Sequence, residues 1–290
     1  MSKPQIAFLG LGLMGSGMAG QLLAKGFPLS VYNRNPDKAK ALGEKGAHIA
    51  SSPAEAASGA DVIISMLADD NASRSLWLGE NGALATALDG TLCIECGTIT
   101  LDWIKELSAA AAAQGCELID APVTGSKAQA ASGELNFIVG GSSTAIEKAR
   151  PVLSAMGHNI IHLGPAGSGA LVKLINNFVC GVQISALAEA VSMIERSGID
   201  RTAALEVLTN GAPGSPLVKA LANRMTIPDY TPNFLLRLMA KDLSYAIAEG
   251  KKLSLDLSTA AAALGLFQRG IAEGHGEQDI AAVVESLRSR

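Results

Sequence analysis

The apolar positions of this chain follow two regimes. Up to Leu163, short apolar runs alternate with alanine-rich stretches whose apolar residues recur at helical spacing. Gln5–Leu9, Leu29–Tyr32, Asp61–Met66, Thr91–Glu95, Cys116–Asp120, Leu135–Val139 and Asn159–His162 have the length and bounding turn residues of strands. Helices are predicted from about Asn71, over Leu101–Ala113 and over Ser143–Met156, and the stretch between Asp120 and Leu135 reads as a loop. Strands alternating with helices specify an α/β fold with a doubly wound, mostly parallel sheet.

Beyond Gly164-Pro165-Ala166-Gly167 no further strand is predicted. A proline-free helical stretch runs from Ser168 to Arg196, roughly 40 Å at 1.5 Å per residue. Further helices are predicted over Arg201–Leu208, Pro216–Met225, Phe234–Lys251 and Ser258–Glu273. Two domains follow: residues 1–163, α/β and cofactor-binding, and residues 164–290, all-helical, with the long helix joining them. A ligand site is expected near the junction.

The first apolar run flows directly into Gly10-Leu11-Gly12-Leu13-Met14-Gly15. In a strand-turn-helix frame this G-x-G-x-x-G spacing is the dinucleotide fingerprint. The first glycine permits the turn, the second lets a pyrophosphate approach the backbone, and the third lets helix and strand pack closely. At the end of the second strand, where an NAD site usually carries an acidic residue for the ribose, stand Asn33 and Arg34. A guanidinium there can grip a 2′-phosphate, which a carboxylate would repel. NADP(H) is therefore expected in preference to NAD(H), with a solvated loop arginine as the plainer alternative.

Composition narrows the classes. The apolar fraction is 48% and the net charge −4, which supplies a sizeable core and excludes a nucleic-acid footprint. No run is expected to reach the length of a membrane span, and the chain enters a strand without a leader, so a cytoplasmic protein with no membrane partner is expected. Cys93 and Cys96 have C-x-x-C spacing, but a strand sends side chains three apart to opposite faces, and no second pair accompanies them. No metal site is expected.

Two segments could carry chemistry. Lys173 lies in an apolar helical stretch one turn before Asn177, so the two share a helix face. Partial burial beside a cationic nicotinamide would lower the lysine pKa and suit it to proton transfer. The alternative is a lysine snorkelling along a surface helix. Asp120-Ala121-Pro122-Val123-Thr124-Gly125-Ser126-Lys127 ends a strand, where backbone N–H groups near Gly125 and the hydroxyls of Thr124 and Ser126 could receive a substrate carboxylate, or form an ordinary turn. Lys241-Asp242-Leu243 is either a surface ion pair or a lysine directed at cofactor.

Taken in order, Gly10–Gly15, Asp120–Ser126, Gly164–Asn177 and Lys241-Asp242-Leu243 resemble the motifs of the β-hydroxyacid dehydrogenase family over essentially the whole chain. The resemblance implies a Rossmann-type domain, a long interdomain helix, a helical domain and a homodimer or homotetramer. It implies Lys173 as acid/base, Asn177 as its substrate-orienting partner, Thr124-Gly125-Ser126 as the carboxylate site, and Leu67, Thr98 and Lys241 against the cofactor. Thr124 replaces the family's usual serine, and Ser126-Lys127 replaces a second glycine in many members. This version, with Asn33-Arg34, resembles the glyoxylate/succinic semialdehyde reductase branch. The expected activity is NADPH-dependent reduction of small aldehyde or keto acids, reversible as a hydroxyacid dehydrogenase. A related imine reductase, a catalytically silent NADP-binding protein and a methyltransferase are the alternatives. Imine reductases usually lack the matching lysine, and Arg34 stands where a methyltransferase would carry an acidic ribose ligand.

Overall fold

The computed structural model describes residues 3–288, so the outer ends of the two expected domains, residues 1–2 and 289–290, lie outside the described residues. The chain divides into two compact units, Met1–Lys173 and Leu174–Arg290. Among the described residues the first is built on nine strands: β1 Ile6–Leu9, β2 Leu29–Tyr32, β3 His48–Ile49, β4 Val62–Ser65, β5 Leu92–Glu95, β6 Glu117–Asp120, β7 Val123–Thr124, β8 Leu135–Gly140 and β9 Gly157–Gly164. They run in the order β3-β2-β1-β4-β5-β6-β8-β7, with β9 also paired to β8.

From β3 to β6 every pairing is parallel. In the central strands β1, β4 and β5 every residue is buried, as expected of strands covered on both faces. Alternation divides their side chains between two apolar layers. Ile6 and Phe8 enter one, with Met18 and Leu22 of the helix Gly15–Ala24. Ala7 and Leu9 enter the other, with Trp77 and Trp103. Strand order reverses between β1 and β4, and in such sheets the carboxyl ends at this switch point face the ligand crevice.

After β6 the segment expected as a loop holds structure of its own. β7 and β8 pair antiparallel, with Thr124 opposite Asn136, and the helix Lys127–Ser132 connects them. A two-residue strand has no periodicity to read.

Helices dominate the second unit: most of Ser168–Ser197, then Arg201–Asn210, Pro216–Thr226, Leu236–Lys252 and Ser258–Ala272. The first of these helices overturns the expectation that no run reaches the length of a membrane span. By length and composition, Ser168–Ser197 is apolar enough to cross a membrane. Its Ile184, Leu187, Ala188 and Val191 instead pack with Met225, Leu236, Leu243 and Phe267 in the core of this unit.

Candidate active site

Strand β1 delivers the chain to Gly10, whose φ is +100°. A Cβ there would lie 2.4 Å from the Met66 carbonyl oxygen, so only glycine makes this turn. A Cβ on Gly15 would meet the Gly10 carbonyl oxygen at 2.0 Å, and that close approach lets the helix leave directly from the strand end. Gly12 differs: nothing lies within 4 Å of the Cβ it would carry. The helix starts without a side-chain cap and without an acidic residue in its first turn, which leaves its N–H groups and positive dipole end to an anion. A cradle closed behind and open in front fits a dinucleotide pyrophosphate.

The end of β2 is tied to this turn. Asn33 Oδ1 accepts the Leu11 N–H at 2.8 Å, and its Nδ2 donates to the Asn35 carbonyl at 2.8 Å. Asn33 therefore shapes the corner, while the neighbouring Arg34 is exposed. Leu67, half-buried after β4, packs behind the turn, its Cδ2 2.9 Å from the position of a Gly10 Cβ.

Thr98 follows β5, and its approach is governed by a residue that sequence reading passed over. Glu95 is fully buried. Its Oε1 accepts the Gly97 N–H at 2.7 Å, while Oε2 accepts the Ser73 hydroxyl at 2.6 Å and the Trp77 indole N–H at 3.0 Å. Burial pushes the Glu95 carboxyl above its usual range, against these donors, which pull it down. Only the position of an ionisable residue at the end of an apolar run could have flagged it.

Asp120, at the end of β6, is likewise wholly buried. Its Oδ1 accepts the Gly167 N–H at 2.6 Å and its Oδ2 the Ala170 N–H at 2.7 Å. Burial raises this carboxyl too, opposed by the same backbone N–H groups. Four residues on, Thr124 is half-buried at the end of β7, and Gly125 takes φ +123°. Ser126 is engaged locally: its N–H donates to Gln129 Oε1 at 2.9 Å and its hydroxyl donates to the same oxygen, closing a capping box on the helix Lys127–Ser132. Lys173 is half-buried in the second turn of the helix that Asp120 holds.

In the second unit the charged pair is not a surface pair. Asp242 is 1% exposed, and its Oδ2 accepts the Asn177 amide at 2.6 Å. The Lys241 ammonium stands 2.9 Å from Asp242 Oδ1, at ion-pair distance but without the alignment of a hydrogen bond. It also lies 4.8 Å from the centroid of the Tyr245 ring. Burial removes the screening that makes an exposed pair weak. The C-x-x-C spacing brings no thiols together, because Cys96 enters one apolar layer of the sheet and Cys93 the other.

Comparison with known proteins extends this picture. Residues 5–164 match the family described as the NAD binding domain of 6-phosphogluconate dehydrogenase. Residues 167–287 match the NAD-binding domain of NADP-dependent 3-hydroxyisobutyrate dehydrogenase. The chain is 37% identical to the NAD-dependent L-serine dehydrogenase of Pseudomonas aeruginosa, over 96% of each chain. It is 32% identical to glyoxylate/succinic semialdehyde reductase 1 of Arabidopsis thaliana, over 98% of each. Among solved structures, the 3-hydroxyisobutyrate dehydrogenase of Mycobacterium tuberculosis with L-serine superposes with a TM-score of 0.89 at 32% identity, over 99% of each chain.

Proposed function

The chain belongs to the β-hydroxyacid dehydrogenase family, as an NAD(P)-dependent oxidoreductase acting on CH–OH and carbonyl groups, and from that premise we propose that it reduces small aldehyde and keto acids with NADPH. Glyoxylate, succinic semialdehyde and tartronate semialdehyde are the candidate substrates. The observation that carries the reading is the placement of Lys173, half-buried on a helix whose first turn is bonded to the strand end that leads into Thr124-Gly125-Ser126. An amine that can exchange a proton thus shares one unit with a loop suited to an anion.

In this reading the turn Gly10–Gly15 holds the cofactor pyrophosphate, Arg34 takes the 2′-phosphate, and Leu67, Thr98 and Lys241 line the rest. The nicotinamide supplies the hydride. Thr124 and the backbone at Gly125 hold the substrate carboxylate, with Ser126 bracing the loop. The Lys173 ammonium would give its proton to the carbonyl oxygen of the substrate during reduction, and the resulting neutral amine would regain a proton from water. Asn177 orients the substrate oxygen. In the oxidative direction Lys173 begins as the neutral base and removes the hydroxyl proton. Residues 1–163 act as the cofactor domain and 164–290 as the substrate and oligomerisation domain of a homodimer or homotetramer, with the start of the long helix, as far as Lys173, packed into the first compact unit.

The test is a panel of NADPH and NADH oxidation against glyoxylate, succinic semialdehyde, tartronate semialdehyde, butyraldehyde and a cyclic imine. L-serine is added in the oxidative direction because two of the relatives are named with it. Turnover of an aldehyde acid with NADPH well above that of butyraldehyde supports the reading. Equal efficiency with butyraldehyde removes the carboxylate site, and turnover of the imine alone removes the substrate class.

A further inference from the structure

The cap of the helix Ser168–Ser197 comes from far away in the chain. Gly167 precedes that helix with φ +97° and has no side chain to satisfy the first N–H groups. A serine or aspartate placed there could cap the helix locally. Instead Asp120 supplies both acceptors across 47 and 50 residues of sequence, one oxygen to Gly167 and the other to Ala170. A charged acceptor makes both bonds short and strong and complements the helix dipole.

Two glycines wall this carboxylate in. A Cβ on Gly140 would lie 2.5 Å from Asp120 Oδ1 and 2.9 Å from the Ser168 nitrogen. A Cβ on Gly169 would lie 2.9 Å from Asp120 Oδ2 and 2.3 Å from the Ile138 carbonyl oxygen. Strand end, carboxylate and helix turn therefore meet without room for a methyl group, and the contact admits one arrangement. Lys173 stands three residues past Ala170, about 4.5 Å along the helix axis. Thr124 stands four residues past Asp120 on the chain.

We propose that Asp120 is a positioning residue for Lys173, fixing the helix that carries the proton-transfer group against the strand end that leads to the substrate-carboxylate loop. The assignment rests on the reading of Lys173 as acid/base. Its physical basis is the steep dependence of proton transfer on geometry, where a displacement of about 1 Å can cost roughly 10²-fold in rate. A local cap would hold the helix together equally well. Only a cap from β6 also fixes where the helix begins relative to the sheet.

Asp120→Asn keeps the shape but turns an N–H donor towards the N–H of Gly167 or Ala170. A folded variant is expected to bind NADPH within a few-fold of the unmodified protein, to lose about 10- to 100-fold in kcat on succinic semialdehyde, and to change KM far less. Gly169→Ala, which leaves the carboxylate but displaces the turn, is expected to lower kcat in the same way, and it takes the place of Asp120→Asn if that protein does not fold. The deciding measurement adds Lys173→Ala to either variant. If Asp120 acts through Lys173, the double variant is no slower than Lys173→Ala alone, whereas a general structural defect multiplies the two losses. Multiplied losses, or a folded Asp120→Asn protein with unchanged kcat beside an inactive Lys173→Ala, overturn the proposal. Normal turnover by Lys173→Ala overturns the reading of Lys173 itself, and the role of Asp120 falls with it.

Discussion

The side-chain amide of Asn177 donates to the buried carboxylate of Asp242 across 2.6 Å. Because a carboxylate only accepts, this contact orients the amide, with Nδ2 towards Asp242 and Oδ1 accepting from Asn176 at 3.0 Å. The residue expected to orient the substrate is thus itself held by a partner 65 positions away, in the motif first noticed as a charged pair.

Asn177→Ala therefore removes more than a substrate contact. It leaves Asp242 Oδ2 without its donor at a site that is 1% exposed, and an unsatisfied buried acceptor typically costs ~1–3 kcal/mol. Asn177→Asp is expected to be worse, since two facing carboxylates cannot both ionise without repulsion. Thermal unfolding of the two variants checks this, and an Asn177→Asp protein no less stable than Asn177→Ala would exclude charge repulsion as the cause.

Glu95 gives a prediction with a definite pH sense. Its carboxyl is raised by burial, so the native state holds the proton more tightly than the unfolded chain does. That contribution to stability is complete below the ordinary carboxylate range and is lost as pH rises through the raised native pKa. Glu95→Gln places an N–H₂ against donors at Gly97 or Trp77 and is expected to cost ~1–3 kcal/mol. The gap between the two proteins should narrow as pH rises. Trp77 and Trp103 are the chain's two tryptophans, and both belong to this network, Trp103 by donating to Ser73 at 2.8 Å. Tryptophan fluorescence during urea unfolding therefore reports this network directly, and a gap that widened with pH would contradict the argument.

What was legible in the sequence follows from range. Apart from the two-residue β3, which was not expected, the strands of the parallel crossovers and the long helices announce themselves within a dozen residues, because periodicity and bounding turns are local. Helices Leu101–Ala113 and Ser143–Met156 end where their patterns end. The glycine turn was readable for the same reason. The buried carboxylates of Glu95, Asp120 and Asp242 were not, because each answers to donors that the fold brings from elsewhere in the chain. The reading that no run reaches the length of a membrane span overlooked Ser168–Ser197, and only the fold shows that its Ile184, Leu187, Ala188 and Val191 pack in a core, since composition does not say which face of a helix is packed against protein. β7 was too short to carry a pattern.

Arg34 bears the cofactor prediction. It is exposed beside Asn33, whose amide is already engaged with Leu11 and Asn35. A guanidinium free to pair with a 2′-phosphate is typically worth about tenfold to a hundredfold in affinity. Arg34→Ala should weaken NADPH binding by that factor and leave NADH nearly unchanged, as read by fluorescence titration. Equal affinity of the unmodified protein for the two cofactors would remove the preference.

Under the proposed function Lys173 carries the chemistry, and its prediction has three separable parts. Removal of a positioned acid/base typically costs about 10²–10⁴-fold in rate, so Lys173→Ala should lose kcat on that scale. Cofactor affinity should stay within a few-fold, because the glycine turn that receives the pyrophosphate is untouched. Lys173→Arg keeps the positive charge and much of the length, yet a guanidinium remains protonated and gives up no proton at working pH. It should rescue neither direction, and this separates proton transfer from simple charge stabilisation of the developing alkoxide. If Lys173→Arg restored reduction, the residue would act as a fixed charge. The oxidative direction makes the demand sharper, because there the side chain must begin as a neutral base, which a guanidinium cannot be, so Lys173→Arg should oxidise hydroxyacid no faster than Lys173→Ala. A folded Lys173→Ala protein with near-normal turnover would return the residue to a lysine lying along a helix surface.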